Sequence, residues 1–121
     1  MLSCKLRDNR KKVEKTMNAI NLLKHIEAFR KFDADIQSQT IAVFLYVGIN
    51  EGEEGVPMTT IAKDLNMAQS SVSRNVSLLS KWSWSRKEGL NFVEALEDPM
   101  ERRRKLVKLT NRGKRLYATI S

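Results

Sequence analysis

Apolar residues recur three or four positions apart from Arg10 to about Lys31, with Val13, Met17, Ile20 and Leu23 in one series and Leu22, Ile26 and Phe29 in another. That spacing predicts an amphipathic helix. Lys12, Lys15, Asn18, Asn21 and Lys24 make its polar side. The two apolar series together are wide for one packing surface, so part of the helix is expected to face the core and part a partner chain. Phe32 to Asp35 is a polar break, and Asp35 is placed to cap the next helix by accepting from its first-turn N–H groups. This second helix is predicted to run to about Ile49. Its residues Ile41, Ala42, Val43, Phe44, Leu45, Tyr46 and Val47 are apolar nearly all round, which makes it the expected central buried helix. Asn50 to Gly55, rich in Glu and Gly, reads as an exposed loop, and Pro57 as part of a short extended segment.

Thr59 is a candidate cap for a short helix through Leu65, with Ile61, Ala62 and Leu65 on one face. Asn66 tolerates the left-handed backbone of a tight turn. A further helix from about Ala68 to Trp82 places Val72, Val76 and Leu79 on one side. The other side presents Gln69, Ser70, Ser73, Arg74 and Ser77, all small or polar. The pattern then turns extended, from Leu90 to Leu96 and from Arg104 to Leu109. Between these segments Asp98-Pro99-Met100-Glu101 has the residues of a type I turn, which predicts a hairpin. Thr110 can cap a last helix with Leu116 and Ile120 one turn apart. The fold class expected is mainly α with a small β-hairpin. Residues 1–34 form a basic segment and helix, a candidate dimerisation element, and 35–121 the main domain.

With 121 residues, 41% of them hydrophobic and 30% charged, the chain has the composition of one globular domain. Its longest apolar run, Ile41 to Ile49, is far short of the ~20 residues of a bilayer span. No apolar stretch of a secretory signal follows the basic N-terminus, and the only cysteine, Cys4, cannot form an internal disulfide. Together these predict a cytoplasmic protein without a membrane partner.

Net charge changes the picture more. At +8, the chain favours a polyanionic partner. The charge is also segregated. From Lys63 onward there are 13 Lys and Arg against 6 Asp and Glu, whereas Phe32 to Ala62 contains neither Lys nor Arg.

Two short helices joined by a tight turn, the second polar on its outer side, are the helix-turn-helix reader of the DNA major groove. A basic hairpin directly after it makes the unit a winged helix-turn-helix, here with an additional N-terminal helix. A groove-entering helix needs small side chains for close approach and a few long donors for base edges. Gln69, the serines and Arg74 supply both. Arg74 can make two hydrogen bonds to a guanine edge, while serines more often meet phosphate. Arg102, Arg103, Arg104 and Lys105 follow one another at the hairpin tip, within reach of phosphates or a minor groove. At least one of these arginines is expected to be structural, paired with Asp98. Trp82 and Trp84, at the junction of helix and hairpin, are expected to lock the hairpin onto the core.

Three stretches resemble the MarR-type transcriptional regulators. They are Leu65-Asn66-Met67-Ala68-Gln69-Ser70-Ser71-Val72-Ser73-Arg74, Asp98-Pro99-Met100-Glu101-Arg102-Arg103, and Val107-Lys108-Leu109-Thr110-Asn111-Arg112-Gly113. The resemblance covers roughly Ser38 to Tyr117. It implies a homodimeric winged-helix protein on palindromic duplex DNA, most simply a repressor acting by operator occupancy. Residues matching Ser70, Ser71, Ser73 and Arg74 would then meet the major groove, and a wing arginine would enter the minor groove. Ser83 stands where a glycine is common and Glu101 where an aspartate is usual. About ten residues follow Thr110 where the family has longer dimerisation helices, so dimerisation is expected to lean on the N-terminal helix. The family's effector pocket lies between the dimer helices and the DNA-binding lobe, but the sequence points to no particular effector.

Enzyme classes find little support. One histidine and one cysteine cannot supply a zinc site of three or four N/S ligands, and His25 reads as a helix-surface residue. The five glycines form neither a phosphate loop nor a dinucleotide signature, and no other cofactor is indicated. The alternative function is a replication, recombination or architectural factor using the same DNA-binding module.

Overall fold

The structure is a computed structural model that describes the chain except for residues 1–8, 51–53, 82–87, 102 and 121. For residues 9–17 it describes the backbone alone. Trp82, Trp84, Ser83, Arg102 and Cys4 lie outside the described residues. The described residues form five helices and a three-stranded antiparallel sheet, in the order α1 (Asn9–Arg30), α2 (Ser38–Asn50), β1 (Val56–Pro57), α3 (Met58–Asp64), α4 (Gln69–Leu79), β2 (Val93–Glu97), β3 (Lys105–Leu109) and α5 (Asn111–Ile120). The chain divides into two compact units, Met1–Asp35 and Ile36–Ser121.

In the first unit, α1 covers the span expected from its periodicity. Leu22 and Leu23 are 60% and 58% exposed, and Ile20 is exposed as well. Arg30 ends the helix, pairing with Glu27 one turn back and donating to the Ala34 carbonyl.

In the second unit, α2 begins at Ser38, three residues beyond Asp35, the cap expected from sequence. Asp35 instead lies in a turn where its own N–H donates to the Asp33 carboxylate, and the Gln37 carbonyl accepts the first backbone bonds of the helix. Val43, Phe44 and Val47 of α2 are fully buried, as a central helix requires. Around them pack Ile61 of α3, Val72, Val76 and Leu79 of α4, and Val93, Val107 and Leu109 of the sheet. Phe92, just before β2, meets Phe44 edge to face with ring centroids 5.8 Å apart. The Tyr46 hydroxyl donates to the Asp64 carboxylate and ties α2 to the end of α3. That bond, with smaller contributions from burial and the Asp64 charge, raises the phenol pKa above its ordinary value.

Thr59 is not the cap of α3. Pro57 holds that position with extended backbone, and its fixed φ of −63° leads the chain out of β1 into the helix. Leu65 and Asn66 then close the turn, Asn66 at φ 53° as its residue type allows. The next helix, α4, stops at Leu79 rather than Trp82, because Ser80 is already extended. Its end is laced to the segment ahead of β2: the N–H groups of Leu90, Phe92 and Asn91 donate to the carbonyls of Leu78, Leu79 and Ser80. Those bonds, with Asn91 at φ 58°, also keep Leu90 and Asn91 out of the hairpin, so β2 starts at Val93.

The sheet has the order β1-β3-β2. Ala95 pairs Val107 and Leu96 pairs Leu106 across the hairpin, while Val56 pairs Val107 on the other edge of β3. Thr110 caps α5 as expected, its hydroxyl oxygen accepting from Gly113 N–H at 3.0 Å and donating to the Asn91 carbonyl at 2.7 Å.

Candidate nucleic-acid interface

Helix α4 presents two chemically distinct sides. Val72, Val76 and Leu79 lie in the core, while Gln69, Ser70, Ser73 and Arg74 are exposed. Ser70, Ser73, Arg74 and Ser77 line one shallow depression along the outer face. This is the 3.6-residue period made physical: positions three and four apart share a side. The largest of these side chains, Arg74, is flanked by serines that keep the surface low.

A second concavity, of about 340 Å³, joins the start of this helix to the hairpin. Gln69, Ser70 and Ser73 form one wall and Arg103, Arg104 and Lys105 the other. Met58 and Thr59, from the first turn of α3, complete it. Sequence reasoning missed these two; their position directly after the Pro57 kink was the available signal. Ser71 stands apart from the other candidates. It is half-buried, lines neither concavity, and its carbonyl accepts from the Asn75 amide.

The wing tip is held by its own backbone. Asp98 N–H donates to the Arg104 carbonyl, Glu101 N–H to Asp98, and Arg104 N–H to Glu101. The Asp98 carboxylate accepts from Met100 N–H at 2.9 Å, the side-chain turn closure that aspartate favours. Neither Arg103 nor Arg104 pairs with Asp98, so among the described wing cations the expected structural arginine is not found. Both are exposed, and Arg102 lies outside the described residues. The arginine that does brace the hairpin base is Arg112. Its guanidinium sits 5.2 Å from the Phe92 ring centroid and its Nε donates to the Leu90 carbonyl.

Charge and geometry converge on the groove. Three cations face the polar start of α4, where Ala68 occupies the N-cap position with no side-chain acceptor. The first-turn N–H groups of a helix left in that way, together with the helix dipole, favour an anion. The arrangement can therefore hold the phosphate backbone of a nucleic acid while offering Arg74 and Gln69 to base edges. Among the described residues no group of three or more His, Cys, Asp or Glu could hold a metal ion, and no helix is long and apolar enough to cross a membrane.

A helix-turn-helix of α3 and α4 followed by the β2–β3 hairpin, with β1 ahead of it completing the small sheet, defines the winged-helix class. Within it, the chain has the fold of MarR-family transcriptional regulators. It is similar to a MarR-family regulator from Rhodococcus sp. RHA1, with 21% identity, TM-score 0.60, and 95% of this chain and 72% of that one covered. It is likewise similar to MepR of S. aureus in a DNA complex, with 20% identity, TM-score 0.67, and coverage of 88% and 77%. CouR of Rhodococcus jostii RHA1 bound to p-coumaroyl-CoA shares 21% identity, with TM-score 0.59 and coverage of 95% and 72%. No family model matches the chain, and no curated protein matches it in sequence.

Proposed function

We propose that this protein is a sequence-specific, double-stranded DNA-binding transcriptional regulator of the MarR type, and a repressor rather than an enzyme. The observation that carries the reading is the groove in which Arg103, Arg104 and Lys105 face Gln69, Ser70 and Ser73 at the start of α4. Helix α4 enters the major groove, where Arg74 and Gln69 contact base edges, Ser70, Ser73 and Ser77 meet phosphates or bases, and the half-buried Ser71 takes part only at the margin. The wing residues Arg102, Arg103, Arg104 and Lys105 follow the phosphates or the adjacent minor groove. MepR, a protein of similar fold, has been seen bound to DNA, which supports this placement.

A homodimer completes the reading. The exposed Ile20, Leu22 and Leu23 of α1 give an apolar surface suited to a second copy, and a two-fold dimer reads palindromic half-sites about one helical turn apart. Repression by operator occupancy requires nothing beyond such binding, since a protein seated on a promoter excludes polymerase.

Selection of bound duplexes from random-sequence DNA tests the proposal. A palindromic consensus that recurs in promoters, including one beside the protein's own gene, is the expected result. Enrichment without a consensus would refute sequence-specific regulation and favour an architectural role.

A further inference from the structure

Behind the reading face of α4 lies a polar pair inside an otherwise apolar core. Thr40, in the first turn of α2, is 2% exposed, and Asn75, in the middle of α4, is 3% exposed. The Thr40 hydroxyl donates to Asn75 Oδ1 at 2.7 Å, and Asn75 Nδ2 donates to the Ser71 carbonyl one turn back at 2.8 Å. No buried side-chain polar atom among the described residues is left without a partner.

From this geometry, and resting on the DNA-binding reading above, we infer that Thr40 and Asn75 are positioning residues that set the rotation of α4 about its own axis and so fix which bases Arg74 reads. Dispersion and hydrophobic burial are nearly non-directional. The apolar side chains Val72, Val76 and Leu79 therefore hold the helix down and bound its rotation by packing, without singling out one angle as a directional bond does. A hydrogen bond weakens steeply with angle and distance, and this one spans 35 residues of sequence between two helices.

Asn75 immediately follows Arg74, so any rotation that moves one moves the other. With side chains reaching ~6 Å from the axis, a roll of ~20° carries their ends ~2 Å. The donor-acceptor window of a base contact is about 0.5 Å wide. A roll too small to unfold the domain is thus large enough to misplace the reader. Phosphate contacts tolerate such a shift better, because charge attraction falls off gently with distance. The pair is accordingly tied to discrimination between sequences more than to overall affinity.

The closing experiment uses the full chain and the duplex that random-sequence selection yields, titrated beside a scrambled duplex. Replacing both partners by apolar residues of similar size, Thr40→Val with Asn75→Leu, removes the bond without orphaning either group. Expected are a cooperative thermal transition, affinity for the scrambled duplex within about twofold of the parent, and a specific-to-scrambled ratio reduced by about tenfold or more, the scale of one misplaced bidentate contact. Thr40→Ser, which keeps the hydroxyl, is expected to retain the parental ratio.

A folded double variant with the parental ratio overturns the inference, as does an equal loss of affinity for both duplexes. If the double variant does not fold, Thr40→Val alone decides by the same ratio. A parent that enriches no sequence refutes the DNA-reading assignment itself, and this inference falls with it. A parent that discriminates beside a variant that discriminates equally refutes only the inference.

Discussion

Gly113→Ala separates local helix preference from tertiary fit, because the two predict opposite signs. Alanine within a helix is favoured over glycine by about 0.5–1 kcal/mol, and Gly113 lies inside α5. A Cβ there, however, would stand 1.9 Å from the Phe92 carbonyl oxygen and 2.9 Å from its carbonyl carbon. Relief to ordinary van der Waals distance requires a separation of about 1.5 Å between α5 and the segment before β2. That same Phe92 carbonyl accepts Thr110 N–H at 3.0 Å, a bond that a displacement of this size breaks. Losing it costs about 1–3 kcal/mol, and pressing Phe92 against its neighbours Phe44 and Arg112 adds an overpacking cost of about 1–3 kcal/mol. After the propensity gain, a net destabilisation of about 1–5 kcal/mol remains. At ~4 °C per kcal/mol for a domain of this size, thermal unfolding followed by circular dichroism should show a Tm lowered by about 4–20 °C. An unchanged or raised Tm would refute the steric argument and the account of how the hairpin base is seated.

Three further outcomes follow from the interface. Arg74→Ala should cost about 1–3 kcal/mol on the selected site and flatten discrimination against mutated sites, measured by fluorescence anisotropy. Arg103→Ala or Arg104→Ala should instead weaken all duplexes similarly and lower the salt slope by about one unit per lost phosphate contact, which titrations at several salt concentrations would read. A chain starting near Asp33 should sediment as a monomer if α1 completes the dimer, and a dimeric truncation would move the interface elsewhere.

Much of the architecture was legible because it rests on local chemistry. Asn66 in the left-handed turn, Pro57 in the extended entry to α3, the Asp98 turn and the Thr110 cap each follow from what one side chain or ring imposes on its own backbone. The polar outer side of α4 was legible for a related reason: a helix with its apolar residues in one stripe declares its outer face. What escaped depends on contacts between distant segments. The pairing of Val56 with Val107 was missed because two residues carry no period. Asp35 and Thr59 resemble caps, yet α2 and α3 start where the packed chain positions Gln37 and Pro57. Asn75 reads as an ordinary polar helix residue until its Thr40 partner, 35 residues away, is in place. Likewise, nothing local sets Arg112, which braces Phe92, apart from the exposed Arg103 and Arg104 of the wing.

The most direct test of DNA reading is a titration of the full chain against the selected palindrome and a scrambled duplex of equal length, across a range of salt. A sequence reader should bind its selected site at least about 10³-fold more tightly than the scrambled duplex at physiological salt. Binding to both duplexes should also fall steeply as salt rises. Equal affinity for the two duplexes, or binding indifferent to salt, would contradict the DNA-reading assignment.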